Sequence, residues 1–192
     1  MTQSYDAGPT GTPILEETIG ANLERTAARH ADVEALVDVA QGLRFTYAEF
    51  NAEVDVVARG LMARGIAAGD RVGIWAPNCA QWTIAQYACA KAGAILVNIN
   101  PAYRTHELAY VLNQSGTRLL IAATSFKSSD YVSMVEKVRA EAPVLTDVVF
   151  IGTPDWDALR DGATAVGADE LAARGAALDN RDPINIQYTS GT

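Results

Sequence analysis

The feature that most narrows what this chain can become is a strand, a helix and a second strand compressed into residues 71–99. Residues 71–76 carry Val72, Ile74 and Trp75 and are stopped by Pro77 and Asn78; residues 80–92 read as a helix that Gly93 ends, and residues 95–99 are apolar again. Two strands joined by a helix of this length lie parallel, and the crossover takes the right-handed path that folds the helix back over the sheet. The alternation then repeats. A helix from Thr105 puts Leu108, Val111 and Leu112 on one face, and it is followed by a strand at 119–123, a helix at 131–141 and an apolar run at 148–151. Such a chain is expected to form an α/β layered domain, a mostly parallel sheet with covering helices.

Upstream of this unit, Thr18 is placed to cap a helix whose apolar positions Ile19, Leu23 and Ala27 recur on one face to about His30. Residues 34–39 and 43–46 read as a hairpin around Ala40, Gln41 and Gly42. Thr46 and Glu49 form a capping box for a helix with Phe50, Val54, Val57, Ala58 and Leu61 in one stripe, closed by Gly65. Downstream, Pro154, Asp155, Asp157, Asp161, Asp169, Glu170 and Asp179 break up residues 153–181. That stretch is expected to be a surface excursion with small helices near 156–159 and 168–174. Its carboxylates match no calcium loop, so a solvated acidic face and no metal site is the expectation.

Charge excludes one class of partner. With 23 acidic against 15 basic residues, a net charge of -8 and no cluster of Lys or Arg, the chain has no basic face with which to displace counterions from nucleic acid. At 49% hydrophobic and 20% charged residues it reads as a soluble globular protein, and no window holds the ~18 uninterrupted apolar residues of a membrane span. Residues 1–13 are polar and rich in Gly, Pro and Thr, with neither a basic start nor an apolar core for export. A flexible N-terminus and a cytoplasmic location are expected. Cys79 and Cys89 have no redox or zinc spacing and are expected as small buried thiols, the alternative being an activated Cys79 thiol at a helix start. His106, in the first turn of its helix, is expected to be exposed.

Two stretches carry the chemistry. Pro183 opens a strand in which Ile184, Ile186 and Tyr188 alternate, and Thr189, Ser190, Gly191 and Thr192 follow. Hydroxyl donors beside a glycine suit a turn that wraps phosphate oxygens. Hydroxyls alone do not neutralise a triphosphate, so a nucleotide loop interrupted at Thr192 is expected; the alternatives are a binding module with a polar tail and a terminus without a role. Asn98, Asn100 and Pro101 put polar groups where the second strand ends. Ligands of open parallel sheets gather at the carboxyl ends of strands, which makes this loop a candidate site wall, the alternative being a turn held by Asn side chains.

Three of these stretches, in this order, resemble the adenylate-forming acyl-CoA synthetases, relatives of luciferases and of the adenylation domains of peptide synthetases. They are Phe45, Thr46, Tyr47 and Glu49; Lys91, Ala92, Gly93, Ala94, Val97, Asn98, Asn100 and Pro101; and Asp182, Pro183 and Tyr188 through Thr192. The likeness starts at about Ile14, and Asn100, Pro101, Ala102, Tyr103 with Asp182, Pro183, Ile184, Asn185 and Ile186 are most similar to medium-chain and related fatty acyl-CoA synthetases. The resemblance implies that residues 14–192 are the N-terminal subdomain of the synthetase and luciferase-like fold, cut inside the phosphate loop. It implies a fatty acid-CoA ligase that uses ATP, Mg²⁺ and coenzyme A to make an acyl-adenylate and then a thioester. Thr189, Ser190, Gly191 and Thr192 would contact the ATP phosphates, while catalytic residues and metal ligands would lie outside these 192 residues, leaving them inactive alone. A non-catalytic module that forms a homodimer, and an activator of amino or aryl acids, are the alternative readings.

Overall fold

The computed structural model describes residues 6–9, 11 and 14–189. Helix α1, Ile19–Arg29, starts where the Thr18 hydroxyl accepts the Ala21 N–H at 3.2 Å. Strands β1, Glu34–Asp38, and β2, Leu43–Thr46, form the antiparallel hairpin, and α2, Tyr47–Ala63, opens on the expected capping box. In that box the Thr46 hydroxyl accepts the Glu49 N–H at 3.3 Å and the Glu49 carboxylate accepts the Thr46 N–H at 2.8 Å. At the far end Gly65 adopts φ 79°, letting its N–H reach the Met62 carbonyl at 2.9 Å while the Ile66 N–H reaches that of Leu61 at 3.1 Å. This left-handed cap satisfies two carbonyls of the last turn.

The sheet follows in β3, Arg71–Trp75, β4, Ile95–Asn98, β5, Thr117–Ala122, β8, Asp147–Phe150, and β9, Asn185–Gln187, the labels β6 and β7 going to a small hairpin, Ser125–Phe126 and Ser129–Asp130. Its five strands run in the order β8-β5-β3-β4-β9, each pairing parallel. Helices α3, Ala80–Ala92, and α4, Thr105–Ser115, lead from β3 and β4, and α5, Tyr131–Arg139, leads from β5. Between β8 and β9 lie α6, Pro154–Asp161, a 3-10 turn, Gly162–Ala165, and α7, Ala168–Ala176. Side chains alternate between two cores. Val72, Ile74, Leu96, Leu119, Ile121 and Val149 pack toward α1, α2, α3, α6 and α7; Trp75, Val97, Leu120 and Ala122 pack toward α4 and α5. Among the described residues no helix is long and apolar enough to cross a membrane.

Four details depart from the sequence-based expectations. Residues 153–181 are more than a surface excursion: Trp156, Leu159, Ala163 and Leu171 are buried against α2 and α3, with the acidic side chains outside. The helices meet closely because Gly60 lacks a side chain; a Cβ there would lie 2.1 Å from the Leu159 carbonyl oxygen. Helix α1 turns Gly20, Leu23 and Ala27 inward and leaves Ile19 41% exposed, because Gly20 lies against the buried Lys91 stem. The last strand is shorter than the alternation suggested, since only Asn185–Gln187 pairs with Leu96 through Asn98. The β6–β7 hairpin has no glycine to mark it: Lys127 itself takes φ 52° at the turn.

Candidate functional site

A parallel sheet wound in both directions opens a crevice where neighbouring strands send their helices to opposite faces. Here α3 leaves β3 for one core and α4 leaves β4 for the other, so the crevice falls beyond the carboxyl ends of β3 and β4. A cleft of about 400 Å³ occupies this place. Ala76, Asn78 and Trp82 line it from the β3–α3 segment, Asn98, Asn100 and Pro101 from the end of β4, and Gln187 and Tyr188 from the end of β9. A second hollow, of about 120 Å³ and lined by Gly93, Leu178, Pro183 and Ile184 among others, sits at the amino ends of β4 and β9, the edge at which such sheets do not present ligands.

The expected wall is in place. Asn98 lies level with Ile74 and Gln187 on its neighbouring strands, and its amide donates to the Gln187 side-chain oxygen at 3.1 Å. The Asn100 side chain accepts the Ala102 N–H at 2.9 Å, so the Asn-stabilised turn and the site wall are one structure. Beneath it the Trp75 and Tyr131 rings stack in parallel, 3.5 Å between centroids with 4° between planes. The Trp75 indole N–H donates to the Asn100 carbonyl at 3.1 Å, and the Tyr131 hydroxyl donates to the next carbonyl, that of Pro101. Burial pushes the Tyr131 phenol up to about 12, which keeps it a donor. Trp82 packs against the α2 and α3 core and also faces the cleft.

The residues expected to form a phosphate loop divide. Thr189 is exposed just past β9, next to the Tyr188 that lines the cleft, while Ser190, Gly191 and Thr192 lie outside the described residues. Tyr188 packs toward the α4 core, where burial above all, with Tyr110 and Tyr103 nearby, raises its phenol.

The helix start nearest the cleft is already taken. Asp38, at the end of β1, accepts the Ala80 N–H at 2.9 Å and supplies the cap that Cys79 does not. Its carboxyl is held below the usual range by the backbone N–H of Gln41 first and of Ala80 second. A carboxylate there repels a phosphate that would otherwise seek the α3 dipole. Cys79 is not activated: burial raises its thiol, and Cys89, fully buried, goes up to about 12. His106 is exposed in the first turn of α4, as expected. Among the described residues no group of His, Cys, Asp and Glu could hold a metal, and no carboxylate, lysine or arginine lines the cleft. These residues do not fit a magnesium ion.

Asn78 and Gln187 were the readable omissions, because both sit at the carboxyl ends of strands that the sequence located. The Trp75–Tyr131 pair left no local signal.

Fold and cleft together define a doubly wound parallel α/β unit with a neutral, amide-lined binding edge. The AMP-binding enzyme family model matches residues 23–192, and the chain belongs to this family. It is 38% identical, over 98% of its length, to the medium-chain acyl-CoA ligase ACSF2, mitochondrial, of Homo sapiens, of which it covers 34%. Among solved structures it resembles the N-terminal domain of FACL13 from Mycobacterium tuberculosis at 27% identity and a TM-score of 0.68, over 91% of this chain and 42% of that one. It also resembles the anthranilate CoA ligase AuaEII in complex with anthranoyl-AMP, at 25% identity and a TM-score of 0.76, over 93% of this chain and 32% of that one. The chain thus spans about a third of the length of the curated relatives it matches.

Proposed function

We propose that this chain is the N-terminal part of a fatty acid-CoA ligase. In the reaction a fatty carboxylate attacks the α-phosphate of ATP, pyrophosphate departs, and the thiolate of coenzyme A then attacks the acyl-adenylate carbonyl and expels AMP. What carries the reading is the 38% identity to a medium-chain acyl-CoA ligase over 98% of the chain, with Tyr188 and Thr189 emerging at the carboxyl-edge cleft.

The chain's share of this chemistry is binding and orientation. Thr189, with Ser190, Gly191 and Thr192, supplies hydroxyl and N–H donors to the phosphates, and the rigid wall at Asn98, Asn100 and Pro101 bounds the space beside them. The neutral cleft offers nothing against the negative charge of the departing pyrophosphate. If cationic groups elsewhere supply even about 4 kcal/mol of transition-state stabilisation, their absence slows the reaction by about a thousandfold. The 192-residue chain is therefore expected not to turn over by itself.

The test is pyrophosphate release with ATP, coenzyme A and acids from short to long chain, measured for this chain and for the protein extended to the length of its relatives. Release by the extended form with a fatty acid supports the reading, and silence with every acid rejects it. The likeness to an anthranilate CoA ligase favours a second reading, an aryl acid substrate. Release with anthranilate and none with fatty acids would select it.

A further inference from the structure

We infer that Trp75 and Tyr131 are positioning residues of the cleft: the stacked pair holds the 98–101 wall at a fixed height, so that the Asn98 and Asn100 amides meet a ligand already oriented. This deepens the nucleotide-binding reading of the same site and takes its ligand from that reading. Trp75 ends β3 and Tyr131 begins α5, yet their polar tips converge on two successive carbonyls of a third segment. A core needing only bulk would be served by aliphatic side chains, whereas here each buried ring spends its single donor on the wall.

Further hydrogen bonds extend the arrangement across the carboxyl edge. The Ile99 N–H donates to the Ile74 carbonyl at 3.0 Å, the Ala123 N–H to that of Trp75 at 3.1 Å, and the Tyr131 N–H to that of Thr124 at 3.0 Å. Arg104, following the wall, donates to the Ser129 hydroxyl at 3.0 Å, which ties in the β6–β7 hairpin. The segments after β3, β4 and β5 are thereby fixed to one another through the stacked pair. A wall held in this way gives a ligand its contacts without the cost of ordering a loop at binding.

Tyr131→Phe and Trp75→Phe test this, because each keeps a ring and removes one donor. Amide hydrogen exchange at Ala102 and Tyr103, whose N–H groups bond to the Asn100 side chain and carbonyl, is expected to rise about fivefold to tenfold in Tyr131→Phe, with Val57 and Leu61 in α2 unchanged. With MgATP as the probe, followed on the indole N–H resonance of Trp82, the apparent affinity is expected to weaken by a similar factor. Unchanged exchange at Ala102 and Tyr103, or an equal rise throughout α2, overturns the inference. So does raised exchange with an unaltered ATP response, which would leave the pair a purely structural role. If the unaltered protein gives no ATP response at all, the nucleotide reading fails, and the exchange comparison still decides whether the pair holds the wall.

Discussion

The two sides of the cleft are built differently. The wall at the end of β4 is anchored from below by two buried aromatic donors and from the side by the Asn98–Gln187 amide pair. The opposite side is β9, a strand at the edge of the sheet that among the described residues pairs with β4 alone and ends beside an exposed Thr189. One side is held by donors from two further segments, while the other, among the described residues, has one strand partner and the partly buried packing of Ile186 and Tyr188. The positions of the wall amides are therefore set by packing inside this chain, more firmly than the end of β9 at Thr189.

Removing a large side chain from each side puts that contrast at risk. Trp75 is fully buried, and Trp75→Ala is expected to cost about 3–5 kcal/mol, through a cavity and through the loss of the donor to Asn100. Ile186 in β9 is only partly buried against the same core, and Ile186→Ala is expected to cost about 1 kcal/mol. Urea denaturation of both variants measures the difference. Equal losses would mean that β9 is held as firmly as β3 and would end the distinction.

Helix α3, which brings Trp82 to the anchored side, is secured at its other end by Lys91. This ammonium is 3% exposed and donates to Asp55 at 2.6 Å and to Glu24 and Asn51 at 2.9 Å each. Lys91→Met keeps the stem and removes the charge. Both carboxylates reach water, so the expected loss is about 2 kcal/mol, below that of a fully buried pair. The variant should lower the denaturation midpoint while leaving the Trp82 indole resonance in place; a shifted resonance would show that α3 moves as a body and that the anchored side depends on its remote end.

How far these features could be read from the sequence follows from the range of the forces involved. Helix starts at Thr18 and at Thr46 with Glu49 were legible because a cap is satisfied within three residues of itself. The wall was legible because Asn98 and Asn100 interrupt an apolar run at a strand end, and the topology of parallel sheets says what strand ends do. The Trp75–Tyr131 pair was not, because neither residue is unusual among its own neighbours and only the packing of β3 against α5 joins them. Residues 153–181 misled because their acidic side chains are those a helix places outside, hiding the spacing of Trp156, Leu159 and Ala163 beneath. The start of α3 is similar, with no capping side chain at Cys79 and Asp38 arriving from the hairpin.

That borrowed cap makes a prediction in pH. Asp38 is held below its ordinary 3.8 in the folded chain, so its stabilisation is present above that value and fades as pH falls through the lower folded one. Asp38→Ala should therefore lower the melting temperature at neutral pH, and the two proteins should converge as pH falls below the folded value, where the carboxylate is neutralised in both states. Asp38→Asn keeps an acceptor oxygen and is expected to fall between them. A gap that persists in acid would mean that the side chain acts by packing and that the α3 start is not closed to anions by charge.

The smallest expected effect concerns the thiols at the two ends of α3. Cys79 lies at the foot of the anchored side, partly buried, and Cys89 lies in the core with its thiol pushed up to about 12. Thiolate attacks a disulfide reagent at mildly alkaline pH, so Cys89 should stay silent in the folded chain, and Cys79 should react more slowly than a free thiol. Both should react at once in denaturant. Because Asp38 stands beside the helix start and disfavours the thiolate, Asp38→Asn should speed Cys79 slightly without exposing Cys89. If Cys79 in the unaltered protein reacts at the rate of a free thiol, the segment after β3 opens readily, and the cleft then has two loosely held sides instead of one.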